Sequence, residues 1–244
     1  MLISGVTLTG TYITDVPSIV TANLFANYDA ATGIVGTTSL LDSSGNNRNA
    51  TLFNNPGNTL VNGTRVLQLS SASSQYLGNT SGYGTSLDSA FTFDVWARNT
   101  SAGTAGTLIA EWNNGTWNSG WQDNQMGFNA TQINVGVYPA GYVTGATGWS
   151  ANNWYHIVMT YSGSTNPTTR AYVNGVEGGT PLTGAKQNPG GAGTFLSIGI
   201  PCADYLNGVN TYFNGYIGAW KIYNRALTAA EVLQNYRALA WRYN

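Results

Sequence analysis

The sequence predicts an all-β protein in which two antiparallel sheets pack together and one short helix lies near the C-terminus. Short β-favouring segments, separated by Gly-, Asn- and Ser-rich turns, recur through most of the 244 residues. The one good helix signal is late, where Thr228 and Glu231 have the spacing of a capping box. No repeat or linker divides the chain, and about 200–250 residues is common for one β-domain. The pattern fits about eleven to fourteen strands in a sandwich.

The N-terminal residues 1–23 are predicted to form a β arm or docking strand, separate from a main domain over residues 24–244. Val6, Leu8 and Tyr12 share one parity, as in a strand, and Pro17 interrupts the pattern. Such an arm either adds an edge strand to its own sheet or pairs with a neighbouring subunit. The sequence does not decide between the two.

The main domain reads as a series of short strands. In residues 91–96, alternation places Phe91, Phe93 and Val95 on one face. Asn174 and Gly175 form the strongest hairpin signal in the chain. The predicted strands are residues 24–29, 51–53, 65–69, 91–96, 107–112, 132–137, 154–161, 170–173, 195–200 and 212–223.

The segment 212–236 combines the last predicted strand with the helix. Ile217 and Ile222 have opposite parity, so the strand is either buried on both faces or carries a bulge at residues 218–219. Leu227 and Val232 stand at the positions of a hydrophobic staple around the Thr228 cap. The helix is expected to cover the sandwich through four residues: Val232, Leu233, Tyr236 and Leu239.

Five motifs occur in the order typical of one family. They are D-x-S-G-N from Asp42, W-Y-H-I-V from Trp154, Y-V-N-G from Tyr172, L-S-I-G from Leu196 and R-A-L-T from Arg225. Over about residues 24–239 the chain therefore resembles the concanavalin A-like, laminin-G-like jelly rolls. The closing strand departs from that family, because Gly218 stands where relatives usually have an aspartate.

The resemblance extends to virion proteins of tailed phages, which implies a non-enzymatic structural protein on the virion surface or otherwise extracellular. Such a protein would be a capsid decoration, a fibre or a tail adhesin. It would contact other virion proteins through residues 1–23, form a homo-oligomer and bind host glycans. A free carbohydrate-binding lectin is the alternative, and a glycan hydrolase is a weaker one.

Composition limits other functions. Charged residues make up 8% of the chain and the net charge is −1, so no basic surface for nucleic acid or anionic membrane is expected. No apolar run approaches about 18 residues, which predicts no membrane span. No signal peptide is recognised at the N-terminus. Cys202 is the one cysteine, which excludes an internal disulfide and predicts a buried free thiol.

A catalytic site is not expected. A retaining glycosidase needs two carboxylates about 5–5.5 Å apart, and none of the three glutamates has a carboxylate within four residues. Glu111 is the remaining candidate, and its partner would have to come from a distant segment. His156, the one histidine, lies mid-strand and is expected to be structural.

No metal site is predicted, although calcium remains open because it needs only oxygen ligands. The loop residues with suitable oxygens form no dense acidic set; they are Asp42, Asn46, Asp123, Asp204 and Asn207.

Two loops have the chemistry of sugar binding, in which an aromatic ring stacks on the sugar and amides or a carboxylate surround it. In the first, Trp112, Trp117 and Trp121 are interleaved with amides and Asp123. In the second, residues 201–212, the candidates are Asp204, Tyr205 and Asn207. The alternative is that these tryptophans pack over the sheet edges.

Overall fold

The computed structural model describes residues 16–79, 86–87, 89–101, 103, 106–112, 124–163, 165–186, 195–200 and 211–244. These residues form two antiparallel sheets packed into a sandwich, which confirms the predicted fold class. In chain order the strands are β1 (Leu24–Asp29), β2 (Ile34–Val35), β3 (Ser39–Leu40), β4 (Ala50–Phe53), β5 (Gly57–Val61), β6 (Thr64–Leu69), β7 (Tyr76–Gly78), β8 (Phe91–Asn99), β9 (Gly106–Trp112), β10 (Asn124–Phe128), β11 (Gln132–Val137), β12 (Gly141–Thr147), β13 (Tyr155–Tyr161), β14 (Thr168–Val173), β15 (Val176–Thr183), β16 (Phe195–Ile198) and β17 (Gly215–Tyr223). The helices are α1 (Ala30–Gly33) and α2 (Ala229–Tyr243), and a 3₁₀ turn spans Ser71–Ser73.

Sheet A has the strand order β15-β14-β13-β8-β17-β6-β5. One edge of its central strand β17 pairs with β8. The other edge pairs first with β6 and then with β1. Sheet B has the order β12-β11-β10-β9-β16-β7-β4-β3-β2. The largest hydrophobic cluster lies between the sheets and draws on both of them.

The alternation in β8 follows the prediction. Phe91, Phe93 and Val95 are buried in the core between the sheets. Trp96 points the other way and joins a second cluster with residues of α2. Both faces of β8 are therefore buried, because α2 covers the outer face of sheet A as the sandwich covers the inner one.

Helix α2 begins with the predicted capping box. The Glu231 N–H donates to the Thr228 hydroxyl, and the Thr228 N–H donates to the Glu231 carboxylate. Leu227 and Val232 are buried in one cluster, as a staple requires. Further along, Tyr236 stacks on Trp96 with ring centroids 5.6 Å apart. Leu239 is buried and Leu233 is half-buried, so all four residues predicted to cover the sandwich lie on its covered side.

Strand β17 has both of the features that the sequence left as alternatives, since it is buried on both faces and carries a bulge. Its register against β8 shifts between Ile217 and Trp220. Gly218 lies in this bulge, and a Cβ at that position would overlap the ring of Tyr243. Tyr243 also lies 4.6 Å from Trp96 and 4.7 Å from Trp154 between ring centroids. The aromatic ring thus occupies the space that an aspartate at position 218 would need.

The described part of the N-terminal segment, residues 16–23, packs against the chain's own helix α2. The Val20 N–H donates to Asn235 Oδ1 at 2.8 Å, and the Val20 carbonyl accepts from the Tyr223 hydroxyl at 2.9 Å. Gln234 donates to the Ser18 carbonyl at 2.8 Å. The segment belongs to neither sheet, and it ends in a turn at residues 22–23 that leads into β1. Residues 1–15 of the predicted arm lie outside the described residues.

The structure adds elements that the sequence pattern did not predict. Helix α1 is a single turn capped by Asp29, whose carboxylate accepts from the Ala31 N–H at 2.9 Å. Strands β2 and β3 have two residues each. Segments this short contain only about one repeat of the strand or helix period, so no recurring hydrophobic pattern can reveal them.

Candidate functional site

The outer face of sheet B carries a row of mostly small residues that lie side by side on neighbouring strands. From β4 to β12, each residue of the row is paired with the next. The row is Thr51, Gly78, Ser197, Ala110, Gln125, Gly136 and Tyr142. Because the flanking Leu77, Ile198 and Met126 belong to the core, the row faces away from it. We call this line of residues the small-residue row.

Gln125 carries the one amide in this row. Its side chain is 2% exposed, yet neither its Oε1 nor its Nε2 has a hydrogen-bond partner within the described part of the chain. The neighbouring Asn134, on the same face of β11, contacts Gln132 through its Nδ2 at 3.5 Å and leaves its Oδ1 without a partner there. A buried amide without partners costs about 1–3 kcal/mol, which makes Gln125 and Asn134 the conspicuous polar groups of this face.

Aromatic rings stand beside the row on the same face. Phe53 and Tyr76 stack with centroids 4.4 Å apart and are each half-buried. Tyr212 lies 6.5 Å from Tyr76 and packs with Phe195 against Ala110. Burial and the neighbouring Tyr212 raise the pKa of the Tyr76 hydroxyl, so that hydroxyl stays neutral and can both donate and accept. The face thus combines aromatic surface with amides.

The predicted sugar-binding loops start and end at this face. Trp112 ends β9 and pairs with Phe195, and the loop after it returns to the chain at Asn124, next to Gln125. Ile200, before the second loop, packs against Ala110 with Tyr212 after it. The structure therefore brings the ends of both loops together. The remaining predicted residues lie outside the described ones: Trp117, Trp121, Asp123, Asp204, Tyr205 and Asn207.

Glu111, the candidate catalytic carboxylate, does not lie on this outer face. It pairs with Leu196 of the core and is fully buried between the sheets. The Lys186 Nζ lies 3.6 Å from its Oε2, and that side chain is buried as well. Glu111 is therefore half of an enclosed ion pair at one end of the sandwich.

His156 lies on the opposite side of the molecule, under α2. Its Nε2 is 3.2 Å from Oδ2 of Asp94, and both side chains are fully buried. The other Asp94 oxygen accepts from Lys221 at 3.0 Å, and Asn235 donates to Oδ2 at 2.8 Å. Burial opposes ionisation of Asp94, yet Lys221 and His156 hold the pKa of that carboxyl well below its usual range. This cluster was not predicted from the sequence. Its signal there is a charged residue between two apolar neighbours in each of two strands, Asp94 in β8 and Lys221 in β17.

Asp42 and Asn46, two of the loop residues with oxygens suitable for calcium, form hydrogen bonds within the protein. The Asp42 carboxylate accepts four hydrogen bonds, from the backbone of Asn27, Ser44 and Arg48 and from the Ser44 hydroxyl. Asn46 donates to the Phe25 carbonyl at 3.1 Å. These two side chains thus shape the loop. The residues that the structure describes contain no group of three His, Cys, Asp or Glu that could hold a metal ion.

The sequence of residues 63–233, more than half of the chain, matches the family model described as the concanavalin A-like lectin/glucanases superfamily. The chain belongs to this superfamily. No curated protein matches the sequence. None of the helices within the described ranges is long and apolar enough to cross a membrane.

Solved structures with the same fold extend the comparison of this concanavalin A-like chain. Domain 4 of AbnA, a GH43 extracellular arabinanase from Geobacillus stearothermophilus, was solved in complex with arabinotriose; it is 17% identical with a TM-score of 0.59, covering 87% of this chain and 98% of that domain. The Trypanosoma rangeli sialidase in complex with sialic acid is 16% identical with a TM-score of 0.61, over 93% of this chain and 34% of its own. The binding domain of Paraclostridial Mosquitocidal Protein 1 is 16% identical with a TM-score of 0.57, over 88% of this chain and 52% of its own.

These likenesses show the shared fold. The concanavalin A-like chain spans about a third of the sialidase and about half of the mosquitocidal chain. It matches the arabinanase domain over nearly the whole length of that domain.

Proposed function

We propose that the protein is a non-enzymatic carbohydrate-binding protein whose ligand binds at the outer face of sheet B. The observation that carries this proposal is the Gln125 amide, which is buried on that face with both polar atoms unpartnered in the described part of the structure. Neighbouring hydroxyls of a sugar are a donor and an acceptor pair, which is what one amide needs.

The same face also suits an adjoining unit of an oligosaccharide. A pyranose or furanose has an apolar face that stacks on aromatic side chains, and Phe53 and Tyr76 form such a stacked pair on β4 and β7. These strands lie three to four places from β10 in sheet B, about 14–19 Å from Gln125, so the pair would contact a different sugar unit of the same oligosaccharide. Gly136 and Ala110 flank Gln125 in the small-residue row and leave its amide free of bulky neighbours within the row. The complex of AbnA domain 4 with arabinotriose supports the proposal from a protein of the same fold.

The absence of catalysis is part of the proposal and is supported by where the candidate groups lie. Hydrolysis needs a carboxylate that reaches the glycosidic bond. Glu111 is enclosed between the sheets with Lys186, and His156 is enclosed under α2 with Asp94. A glycan at the outer face of sheet B would touch neither of them.

A glycan array tests the proposal with three proteins: the wild type, Gln125→Met and Gln68→Met. Gln68 is the matched control because it is an exposed amide on sheet A. The wild type and Gln68→Met should bind the same glycans, and Gln125→Met should bind them at least about tenfold more weakly, since each hydrogen bond to an uncharged partner is worth about 1 kcal/mol and two are lost. If Gln125→Met binds glycans as tightly as the wild type, the ligand does not bind at Gln125 on sheet B. Turnover of a bound glycan would contradict the proposal that the protein is not an enzyme.

Repeating the array with added calcium and with a chelator tests whether glycan binding depends on calcium.

Display on a virion, as a capsid decoration, fibre or tail adhesin, is the second candidate function. It is supported by the resemblance and by the attachment of residues 18–20 to α2, which holds the described end of the predicted arm on the domain. Deletion of residues 1–15 leaves that attachment in place. The truncated protein should fold and bind glycan but fail to assemble onto the virion; normal incorporation would reject docking through this segment.

A further inference from the structure

A groove of about 500 Å³ lies on the far side of the molecule from sheet B, at the C-terminal end of α2. One wall is the β5–β6 hairpin, with Leu60, Thr64 and Arg65. The other wall is the last turn of α2, with Trp241 and Arg242. We call it the helix-end groove.

Trp241 is the most conspicuous member of this groove. Its side chain is 65% exposed, although tryptophan is usually well buried on average. Its indole N–H already donates to the Ala238 carbonyl within the helix at 3.1 Å. The polar end of the ring is therefore satisfied, and the ring face that Arg242 does not cover is the part open to a ligand. Leu60, 67% exposed, lines the same groove.

The groove carries an excess positive charge. The Arg242 guanidinium lies over the Trp241 ring, 5.3 Å from its centroid, and forms an ion pair with Asp29 at 2.6 Å, which neutralises it. Arg65 is exposed on the opposite wall, and no salt bridge to it exists among the residues that the structure describes. In a chain with only 8% charged residues, one guanidinium without an ion-pair partner in the same groove as an exposed indole favours an anionic, ring-shaped ligand.

A second cavity, of about 390 Å³, lies on the other side of the turn at Asn62 and Gly63. Its lining is rich in amides from separate turns, among them Asn62, Asn153, Asn174 and Asn244, and it contains no carboxylate side chain. The Arg98 Nε at this cavity is buried without a partner in the described ranges. Amides surround a polyol well because each offers donors and an acceptor.

We propose that these two cavities form a second carbohydrate site, separate from sheet B, for an acidic oligosaccharide. The acidic sugar unit stacks on Trp241 and its carboxylate or sulfate pairs with Arg65. The adjoining sugar unit lies in the amide-lined cavity beyond the Asn62 turn. This site does not depend on the glycan site proposed for sheet B, because the two are on opposite faces of the sandwich and share no residue.

A second copy of the chain is the competing occupant, since Leu60 and Trp241 are both apolar. The charge of Arg65 and the amides of the neighbouring cavity favour a polar, anionic ligand over an apolar self-contact. Self-association through this groove is therefore an outcome that the experiment must be able to detect.

The test follows the Trp241 indole N–H signal by NMR, assigned with a Trp241→Phe variant, while the full chain is titrated with paired oligosaccharides. The acidic members are trigalacturonic acid, a sialylated lactose and a sulfated galactose trimer, and each is matched with its uncharged parent. At least one acidic member should shift the Trp241 signal, and its parent should bind about tenfold more weakly or not at all.

Two exposed arginines supply the matched controls. Arg65→Gln should weaken the acidic ligand about tenfold, whereas Arg237→Gln, on α2 outside the groove, should leave its affinity unchanged. Gln125→Met should also leave it unchanged, so failure here is distinguishable from failure at sheet B. The proposal is overturned if no acidic oligosaccharide shifts the Trp241 signal, or if Arg65→Gln and Arg237→Gln weaken binding equally. It is also overturned if the chain forms a concentration-dependent dimer that binds no glycan and that Trp241→Ala abolishes, since a second copy of the chain would then occupy the groove.

Discussion

Lys221 and Asp94 lie directly opposite each other on β17 and β8 and form an ion pair that α2 encloses completely. Their charged atoms are 3.0 Å apart, and both side chains are buried. The same carboxylate accepts from Asn235 of α2 at 2.8 Å and lies beside His156 of β13. One aspartate therefore joins two sheet neighbours to the helix that covers them.

Removal of Lys221 should be costly. Lys221→Met leaves the Asp94 charge buried without its cation, and loss of one partner of a buried pair typically costs about 3–5 kcal/mol of unfolding free energy. Denaturant unfolding measures the effect. The double variant Lys221→Met/Asp94→Leu should cost less than the sum of its single variants, because the orphaned charge is gone. A loss of unfolding free energy below about 1 kcal/mol for Lys221→Met would show that the ion pair contributes little to stability.

Stability should fall in acid through two carboxyls. Hydrogen bonds from Arg225 lower the pKa of Glu231 to about 2, and Asp94 is lowered as well. A carboxyl whose pKa is lower in the folded state contributes stability above its unfolded pKa and loses it as the pH falls through its folded pKa. The free energy of unfolding should therefore decline from about pH 4.5 towards pH 2.

Denaturant titrations at several pH values check this decline, and Glu231→Gln and Arg225→Gln should both make it shallower. Either variant alone removes the hydrogen-bonded pair that lowers the Glu231 pKa. A slope identical to the wild type in both variants would contradict the assigned role of this pair.

Gln125→Met should stabilise the unliganded protein. The amide has no partner among the described residues, so an apolar side chain of similar shape removes a desolvation cost of about 1–3 kcal/mol. Thermal unfolding measures the gain, which should be absent in Gln68→Met. Loss of stability in Gln125→Met would mean that the amide has a structural partner, and would weaken the ligand role proposed for it.

Gly218→Ala should destabilise the protein by about 1–3 kcal/mol, because its methyl group would overlap the Tyr243 ring. The double variant Gly218→Ala/Tyr243→Ala should be less destabilised than the sum of its parts, since the second change removes the overlap. Calorimetry on the three variants checks this. Additive losses would indicate that the bulge itself, rather than the ring, requires glycine.

What the sequence predicts well is local. Capping by Thr228 and Glu231, the Asn174–Gly175 hairpin and the bulge near Gly218 each depend on a few neighbouring residues, and all three are present. The face of each strand also follows from alternation, because a side chain's direction is fixed by its own backbone.

The candidate site depends instead on register between distant strands. Gln125, Ala110 and Ser197 become neighbours only once β10, β9 and β16 are paired, and nothing local in their sequence specifies that order. The predicted aromatic loops remain a prediction, since most of their residues lie outside the described part. The helix-end groove was missed for the same reason, as Trp241 and Arg65 line one groove only after α2 packs on the β5–β6 hairpin.

The position of β17 in the middle of sheet A also dictates the order of folding. It is the last of the described strands in the chain, yet β8, β6 and β1 all pair with it. A nascent chain that has not yet released residues 215–223 from the ribosome can form only fragments of sheet A, and its core lacks one wall. Folding must therefore follow synthesis of nearly the whole domain, and the long sequence separation of these pairings makes it slow. Sheet A is therefore completed last, when β17 pairs with β8, β6 and β1.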